Sequence, residues 1–151
     1  NTNDGSRIRL IKEGRINNKI GTQVGLIAPS FIFRSMAGDT ISSQALNKKK
    51  MIIANTCGCG GDEESANSYL EIREKFQKEA FVLRLDSFVD SQLDKWLINM
   101  EDPFNKDLYD KYRKTYCSRL CYVIDQRNRI LDKFEIIKWE STLPFLFDIG
   151  N

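Results

Sequence analysis

The sequence MIIANTCGCGGDEE, residues 51–64, combines a short apolar run, a glycine-rich turn and the first residues of a helix. The run from Met51 to Ala54 is typical of a central strand that is covered on both faces. Asp62 suits the N-cap of a helix, and the two glutamates behind it lie where the helix dipole favours acidic side chains. The segment therefore predicts a strand, a turn and a helix in direct succession.

Two of the four cysteines, Cys57 and Cys59, occupy this turn. A helix N-terminus offers unpaired N–H groups and a positive dipole end, and both stabilise an anion such as a thiolate. Because thiols of low pKa occur at helix N-termini, the position predicts a redox-active dithiol. Its spacing is Cys-x-Cys, whereas redox motifs more often have the spacing Cys-x-x-Cys.

The length and composition fit one domain. The chain has 151 residues, 41% of them hydrophobic, so residues 1–151 are predicted to form a single unit with its own core. Histidine is absent, which excludes Ser-His and Cys-His catalysis and histidine metal sites. The net charge is +2, and the basic run Lys48–Lys50 is too short for a nucleic-acid footprint, so no nucleic-acid partner is expected.

The sequence also bears on location. No apolar stretch approaches the roughly 18 to 20 residues that span a bilayer, so no integral membrane segment is expected in this chain. The polar start NTNDGS, residues 1–6, fits an exported protein whose leader or anchoring segment has been removed, or a domain trimmed at its edge. Four cysteines are compatible with an oxidising compartment. We therefore expect an extracytoplasmic location, in a periplasm or cell envelope.

Hydrophobic periodicity predicts the elements that follow the turn. Apolar residues recur at helical spacing after Asp62 and predict a helix, and Ala80–Leu85 predicts a second buried strand. A second helix, ending near Pro103, is predicted by four positions at the spacing i, i+3, i+4 and i+7: Leu93, Trp96, Leu97 and Met100. A shorter helical piece is predicted through Phe104, Leu108 and Tyr112.

The remaining segments complete an α/β arrangement. Residues 1–20 are predicted to form an extended leader, and the alternative for residues 7–20 is a short, partly exposed hairpin. Two β-hairpins are predicted, one pairing Gly25–Phe33 with Thr40–Ser42 and the other pairing Leu120–Ile124 with Arg129–Trp139. At most a short helix is expected in the tail. The order predicts a central mixed sheet, with its first two core strands parallel, flanked by helices and preceded by a β-hairpin extension.

Several short motifs follow one another in the order of a known family: GLIAPSF (residues 25–31), Gly38-Asp39-Thr40 with Leu46 and the lysines behind it, Met51–Cys57, and YVID (residues 122–125) with Arg129-Ile130. With them, residues 21–139 resemble the thioredoxin-like superfamily, and most closely the extracytoplasmic redoxin branch of thiol-disulfide oxidoreductases, relatives of the peroxiredoxins. The resemblance implies a thioredoxin-like fold. It also implies partners that are protein thiols or disulfides, or a redox partner protein, and no cofactor.

The sequence departs from this family at two places. The family's nucleophile matches Cys57, but the position of its second cysteine is Gly60, and the nearby thiol is Cys59. The family also has a proline, normally cis, before its last core strand, where this chain has Ser118 followed by Arg119. A cis bond without proline costs about 3 to 4 kcal/mol, so we expect a trans peptide there.

A Cys-x-Cys pair can close a disulfide, because residues i and i+2 reach the Cα separation of roughly 4.4 to 6.8 Å that the bond needs. Gly58 gives the backbone the freedom that such a small ring requires. The functional hypothesis makes Cys57 the attacking thiolate and Cys59 the resolving thiol, framed by Thr56, Gly58, Gly60 and Ser118. Acidic side chains in the first turn of the helix oppose a thiolate and raise its pKa.

The other two cysteines, Cys117 and Cys121, bracket the segment that replaces the proline. Three outcomes are open: a redox relay with the first pair, one cross-loop disulfide that acts as a structural staple, or a buried Cys121 that packs as a small apolar side chain. The staple or inert outcome is favoured over the relay. Arg119 would stabilise a nearby thiolate if it points inward, although an isolated arginine is more often solvated. Cysteines at these spacings fit zinc poorly, and no metal is expected.

The sequence thus predicts a thiol-disulfide oxidoreductase of the cell envelope that uses Cys57 and Cys59. The alternative is a non-catalytic binding or scaffold module of the same fold, whose cysteines are structural.

Overall fold

The computed structural model describes residues 18–58, 62–87 and 95–147, and its central element is a strand over Lys50–Asn55. The strands are β1 (Ile32–Arg34), β2 (Thr40–Ser42), β3 (Lys50–Asn55), β4 (Ala80–Asp86), β5 (Leu97–Asn99), β6 (Leu120–Ile124) and β7 (Ile130–Glu135). The long helix is α1 (Glu63–Phe76). Strands β3 to β7 form one sheet in the order β5-β4-β3-β6-β7, and β1 and β2 form a separate two-stranded sheet.

The sheet is mixed, and β3 lies in its middle. β3 pairs parallel with β4, with Ile53 opposite Leu83, and antiparallel with β6, with Ile53 opposite Tyr122. β4 and β6 therefore cover both edges of β3, so its backbone groups are paired on both sides. The predicted α/β class, with parallel first core strands, is confirmed.

The helix α1 begins where the sequence predicts. Asp62 is its N-cap, and the carboxylate accepts a hydrogen bond of 3.3 Å from the backbone N–H of Ser65. One face of the helix is buried and presents Tyr69, Ile72 and Phe76 to the sheet. Burial of this apolar stripe stabilises the helix in its place.

Two hydrophobic clusters cover the two faces of the sheet, because successive side chains of a strand point to opposite sides. On β3, Ile53 belongs to one cluster, together with aromatic residues of the N-terminal hairpin, whereas Ile52 belongs to the other. The second cluster holds α1 and the C-terminal segment around Trp139. The hairpin of β1 and β2 is confirmed, with Gly38 at φ +92° in its turn, but its first strand covers only Ile32–Arg34 instead of the predicted Gly25–Phe33.

The helix predicted through Leu93 and Met100 is wrong in its described part. Residues Leu97–Asn99 form β5, which pairs parallel with β4 at the edge of the sheet. The N–H of Arg84 donates to the carbonyl of Trp96 at 2.8 Å, so this strand completes an edge of β4 that would otherwise lack partners. Hydrogen bonding to the β4 backbone thus determines the conformation of this segment, in spite of the helical spacing of its apolar side chains.

The strand predicted for Arg129–Trp139 is only partly correct. β7 ends at Glu135, and a 3-10 helix follows over Ile136–Ser141. Ile136 and Trp139 are both buried on the same side, and a spacing of three residues meets this requirement in a 3-10 helix but not in a strand.

The remaining predictions have mixed outcomes. The short helical piece predicted through Phe104, Leu108 and Tyr112 is confirmed. It consists of a 3-10 turn (Pro103–Asn105), a short α-helical turn (Lys106–Leu108) and a π-helical turn (Tyr109–Arg113). The short helix expected in the tail is a 3-10 helix over Leu143–Phe145. The predicted leader falls almost entirely outside the described residues. Among the residues that are described, no helix is both long and apolar enough to cross a bilayer.

We expect Phe76→Ala to lower the free energy of unfolding by about 3 to 5 kcal/mol, because the ring is fully buried. Its centroid lies 6.1 Å from that of Trp139 and 5.1 Å from that of Phe147, so the truncation leaves a cavity between α1 and the C-terminal segment. Urea unfolding measures the change. The control is Leu70→Ala on the same helix, where the side chain is 54% exposed and the expected loss is within about 0.5 kcal/mol. Equal losses in the two variants would contradict the assignment of the core.

Candidate functional site

The cysteine turn leaves the sheet at the end of β3. Thr56 is still bonded to the sheet, since its N–H donates to the carbonyl of Leu85 at 3.0 Å, and it is fully buried. Cys57 comes next and is partly exposed. Its N–H donates to the hydroxyl of Ser65 at 3.2 Å, and Ser65 lies in the first turn of α1. The end of β3 and the start of α1 therefore both fix the backbone at Cys57.

Cys57 forms a disulfide with Cys117, and the two Cα atoms are 5.1 Å apart. Cys117 lies in the loop before β6 and is exposed, whereas Cys57 is partly covered. This is the cross-loop disulfide, one of the three outcomes that the sequence leaves open. Cys59 and Gly60 lie outside the described residues, and the partner of Cys57 here is Cys117.

A buried carboxylate holds the turn in place. Asp86, at the end of β4, is 1% exposed, and it accepts one hydrogen bond from the hydroxyl of Thr56 at 2.6 Å and one from the N–H of Gly58 at 3.1 Å. Arg84 also reaches this pair, since its Nε donates to the Thr56 hydroxyl at 3.0 Å. Thr56 and Gly58 thus flank Cys57 with side-chain and backbone bonds to the neighbouring strand.

Arg119 is not simply solvated. Its guanidinium donates two hydrogen bonds to Asp62, from Nε at 2.8 Å and from Nη2 at 2.7 Å, and lies 3.7 Å from a carboxylate oxygen of Glu64. Bonds of this bidentate kind are strong, and they hold the pKa of the Asp62 carboxyl at about 2. The pKa of Arg119 is raised by the same contact. The positive charge therefore offsets acidic groups at the start of α1 that oppose a thiolate.

A cavity of about 280 Å³ lies against the disulfide. Its lining includes both cysteines, the Asp62–Arg119 pair and Ser118. The peptide between Ser118 and Arg119 is trans, as expected, since the described residues contain no cis bond. Four of the positions that the sequence singles out, Cys57, Cys117, Ser118 and Arg119, thus meet at one solvent-accessible place.

Cys121 lies apart from this cavity. It is a free thiol on β6, opposite Ala54 of β3, and it is fully buried. Burial raises the pKa of the Cys121 thiol far above its usual range. It therefore packs as a small apolar side chain, as the third sequence alternative proposes. In residues 18–58, 62–87 and 95–147, no group of three or more acidic or cysteine side chains is placed to hold a metal ion.

Sequence reasoning did not identify three polar residues that build the site: Asn55, Asp86 and Arg113. Asn55 and Asp86 end two apolar strands that pair in parallel, and polar residues at such neighbouring strand ends could have indicated that they meet. Asn55 is fully buried, and its amide donates to the carbonyls of Tyr112 at 3.0 Å and Leu120 at 2.9 Å. Arg113 gives no such signal, because three of its partners, Asn55, Thr56 and Leu85, lie at strand ends that are distant in sequence.

Comparisons with known proteins bear on the fold. Neither family models nor curated protein sequences match this chain. Solved structures do match. A thiol:disulfide interchange protein from Bacteroides sp. is 13% identical, with a TM-score of 0.60 over 89% of this chain and 93% of that one. A peroxidoxin from Mycobacterium tuberculosis is 14% identical, with a TM-score of 0.60 over 89% of this chain and 100% of that one.

A third match is an exposed lipoprotein thioredoxin from Streptococcus pneumoniae, which is 17% identical with a TM-score of 0.53 over 78% of this chain and 99% of that one. This chain has the thioredoxin-like fold. The expected fold is therefore confirmed, including the mixed sheet and the separate N-terminal hairpin. Within this thioredoxin-like fold, the disulfide lies between the strand-to-helix turn after β3 and the loop before β6.

The Asp62–Arg119 pair is expected to make the free energy of unfolding depend on pH. The folded pKa of Asp62, about 2, lies below the unfolded value of about 3.9, so the pair stabilises the fold above about pH 4 and this contribution is lost as the pH falls towards 2. We expect Asp62→Asn, which keeps an N-cap oxygen, to lower the free energy of unfolding by roughly 1 kcal/mol at pH 7. At pH 2 the difference should be small. Urea unfolding of the oxidised protein at both pH values measures it.

The matched control is Glu63→Gln, because Glu63 is an exposed acid in the same helical turn. It should change the stability less than Asp62→Asn at pH 7. A loss for Asp62→Asn that is as large at pH 2 as at pH 7 would show that the ion pair is not its cause.

Proposed function

We propose that this protein is a thiol-disulfide oxidoreductase that exchanges disulfides at Cys57. One observation carries the proposal: a solvent-accessible disulfide joins Cys57, in the turn between β3 and α1, to the exposed Cys117. Inert structural cysteines are usually buried, whereas reactive ones are partly exposed and lie in a favourable electrostatic environment. The cavity beside the bond gives a second thiol a route to it.

In the reduced protein, the Cys57 thiolate attacks one sulfur of a substrate disulfide. A new bond forms between Cys57 and that sulfur, and the other substrate sulfur leaves as a thiolate. The Cys117 thiolate then attacks the sulfur of Cys57, which releases the second substrate thiolate and forms the Cys57–Cys117 disulfide. The substrate gains two electrons, the two cysteines lose two, and the same steps in reverse oxidise a dithiol.

Cys57 is better placed than Cys117 to carry the thiolate. Its backbone is bonded to the first turn of α1, whose positive dipole end favours an anion. Arg119 lines the same cavity and neutralises part of the acidic charge there. Cys59, two residues beyond Cys57, remains the other candidate for the resolving thiol, as the Cys-x-Cys spacing proposes.

The partners on this proposal are protein thiols or disulfides, or a redox partner protein, and the location is the cell envelope or periplasm. An exposed lipoprotein thioredoxin and a thiol:disulfide interchange protein among the structural matches support both points by analogy. A structural disulfide is also more readily maintained in such an oxidising compartment.

The second candidate function is a non-catalytic scaffold or binding module. It is favoured by the span of the disulfide, which links segments separated by 60 residues. It is also favoured by hydrogen bonds that hold both linked segments to the sheet: the N–H of Thr56 donates to the carbonyl of Leu85, and the side-chain amide of Asn55 donates to the carbonyl of Leu120. In that case the bond serves stability alone and turns over no substrate.

Reduction of insulin disulfides, with dithiothreitol as the electron donor, separates the two functions. We expect the wild-type protein to accelerate the reaction and Cys57→Ser to lower the rate by about a hundredfold or to background, because the nucleophile is lost. Cys117→Ser should accumulate a mixed disulfide between Cys57 and an insulin chain, visible on a non-reducing gel. The control is Cys121→Ala, since this buried thiol takes no part, and its rate should match that of the wild type.

Three results would count against the proposal or one of its parts. No acceleration by the wild type, together with a Cys57–Cys117 bond that resists millimolar glutathione, would establish the scaffold. Accumulation of the mixed disulfide in Cys59→Ser but not in Cys117→Ser would transfer the resolving role to Cys59. A pKa of Cys57 near 8.5, from the pH dependence of its alkylation, would likewise contradict an activated thiolate.

A further inference from the structure

Arg113 is a buried arginine that the exchange mechanism leaves without a role. It is the last residue of the π-helical turn Tyr109–Arg113, and it is 2% exposed. An arginine side chain is almost never fully buried unless its charge and its N–H groups are satisfied. The positions of its hydrogen-bond acceptors are therefore informative.

The acceptors of Arg113 are mostly backbone carbonyls at the two ends of the disulfide. Its Nη1 donates to the carbonyl of Thr56 at 3.0 Å, and its Nη2 donates to the carbonyl of Tyr116 at 2.6 Å. Thr56 is the residue before Cys57, and Tyr116 is the residue before Cys117. One guanidinium thus holds the peptide units that precede both cysteines.

Further bonds fix this arrangement on both sides. Nη1 also donates to the carbonyl of Leu85 at 3.0 Å and to the side-chain oxygen of Asn55 at 3.2 Å, which ties the guanidinium to the ends of β4 and β3. The carbonyl of Tyr116 receives two further bonds, from Nε of Arg113 at 3.1 Å and from the hydroxyl of Ser87 at 3.0 Å. The Cys117 loop is therefore anchored independently of the sulfur–sulfur bond.

We propose that Arg113 is a positioning residue that holds Cys57 and Cys117 at bonding distance when the disulfide is reduced. This inference rests on the proposed exchange at these two cysteines. Five hydrogen bonds from Arg113 reach three carbonyls and one amide oxygen, and none of their partners is a sulfur atom. These five hydrogen bonds, called the Arg113 clamp below, therefore persist when the disulfide opens, and Cys117 stays beside Cys57.

Arginine suits this task because its planar guanidinium presents several N–H donors in a fixed fork. A lysine at the same position has a single ammonium group and cannot reach both carbonyls in the same geometry. Holding two reacting groups in place raises their effective concentration, which for well-oriented groups greatly favours the intramolecular reaction. Arg113 is therefore expected to favour the oxidised form over the reduced form.

Equilibration with glutathione tests this expectation. The balanced reaction converts the protein disulfide and two glutathione thiols into the protein dithiol and one glutathione disulfide. We expect Arg113→Lys and Arg113→Gln to shift the equilibrium towards the reduced protein by about tenfold or more, because the clamp is weakened. Ser87→Ala, which removes one bond to the Tyr116 carbonyl, should shift it in the same direction by about two- to fivefold.

The equilibrium constant compares the oxidised and reduced folded forms, so a purely structural role, destabilising both forms equally, leaves it unchanged. Acid-quenched alkylation and mass spectrometry give the fraction reduced. The matched control is Arg129→Lys, because Arg129 also donates to a carbonyl, that of Gly25 at 3.3 Å, outside the two cysteine segments. Its equilibrium constant should equal that of the wild type.

Wild-type equilibrium constants in the folded Arg113 variants and in Ser87→Ala would overturn the inference. If the Arg113 variants do not fold, Ser87→Ala decides the matter alone. The insulin assay tests the proposed function separately. A shifted equilibrium without insulin reduction would refute the oxidoreductase and keep the clamp, whereas insulin reduction with unshifted equilibria would refute the clamp alone.

Discussion

The burial of β3 from Met51 onward is the constraint on which the other elements depend. Its side chains from Met51 to Asn55, and Thr56 behind them, are all nearly or fully buried, so both faces need apolar cover and both edges need hydrogen-bonding partners. β4 and β6 provide the edges, and the two clusters provide the faces. Cys57 is the first residue after this buried segment that is partly exposed to solvent. The proposed chemistry at Cys57 would therefore be attached to a strand that is paired on both edges and covered on both faces.

Much of this arrangement is visible in the sequence, because β3 and α1 carry strong local signals. An apolar run, glycines and an N-cap aspartate each act over a few residues, and all three agree. The sequence does not predict β5, because its apolar side chains have helical spacing, whereas its backbone pairs with β4. It likewise misses the end of β7, where the burial of Ile136 and Trp139 favours a tighter turn. Both errors arise where contacts distant in sequence override a local pattern.

The site was predictable to a similar degree. The position of Cys57 follows from its local context, whereas its pairing with Cys117 depends on how two loops approach across the sheet. Sequence reasoning could only leave that pairing open among several alternatives. The buried polar groups around the turn were harder still to predict. Asp86 and Arg113 acquire most of their partners only in the folded protein, and of the two only Asp86 has a local signal, its position at the end of an apolar strand.

The disulfide encloses a large part of the fold. The chain between its two cysteines contains α1, β4 and β5, and closing a loop of 60 residues lowers the entropy of the unfolded chain. In the loop-entropy description this corresponds to about 4 kcal/mol of stability. Reduction would then lower the free energy of unfolding and, on the proposed function, would also free the Cys57 and Cys117 thiols to react. The stability of the folded protein would be thermodynamically linked to the redox potential of its surroundings. A reducing environment would then favour unfolding and degradation of the protein as well as reaction of its cysteines.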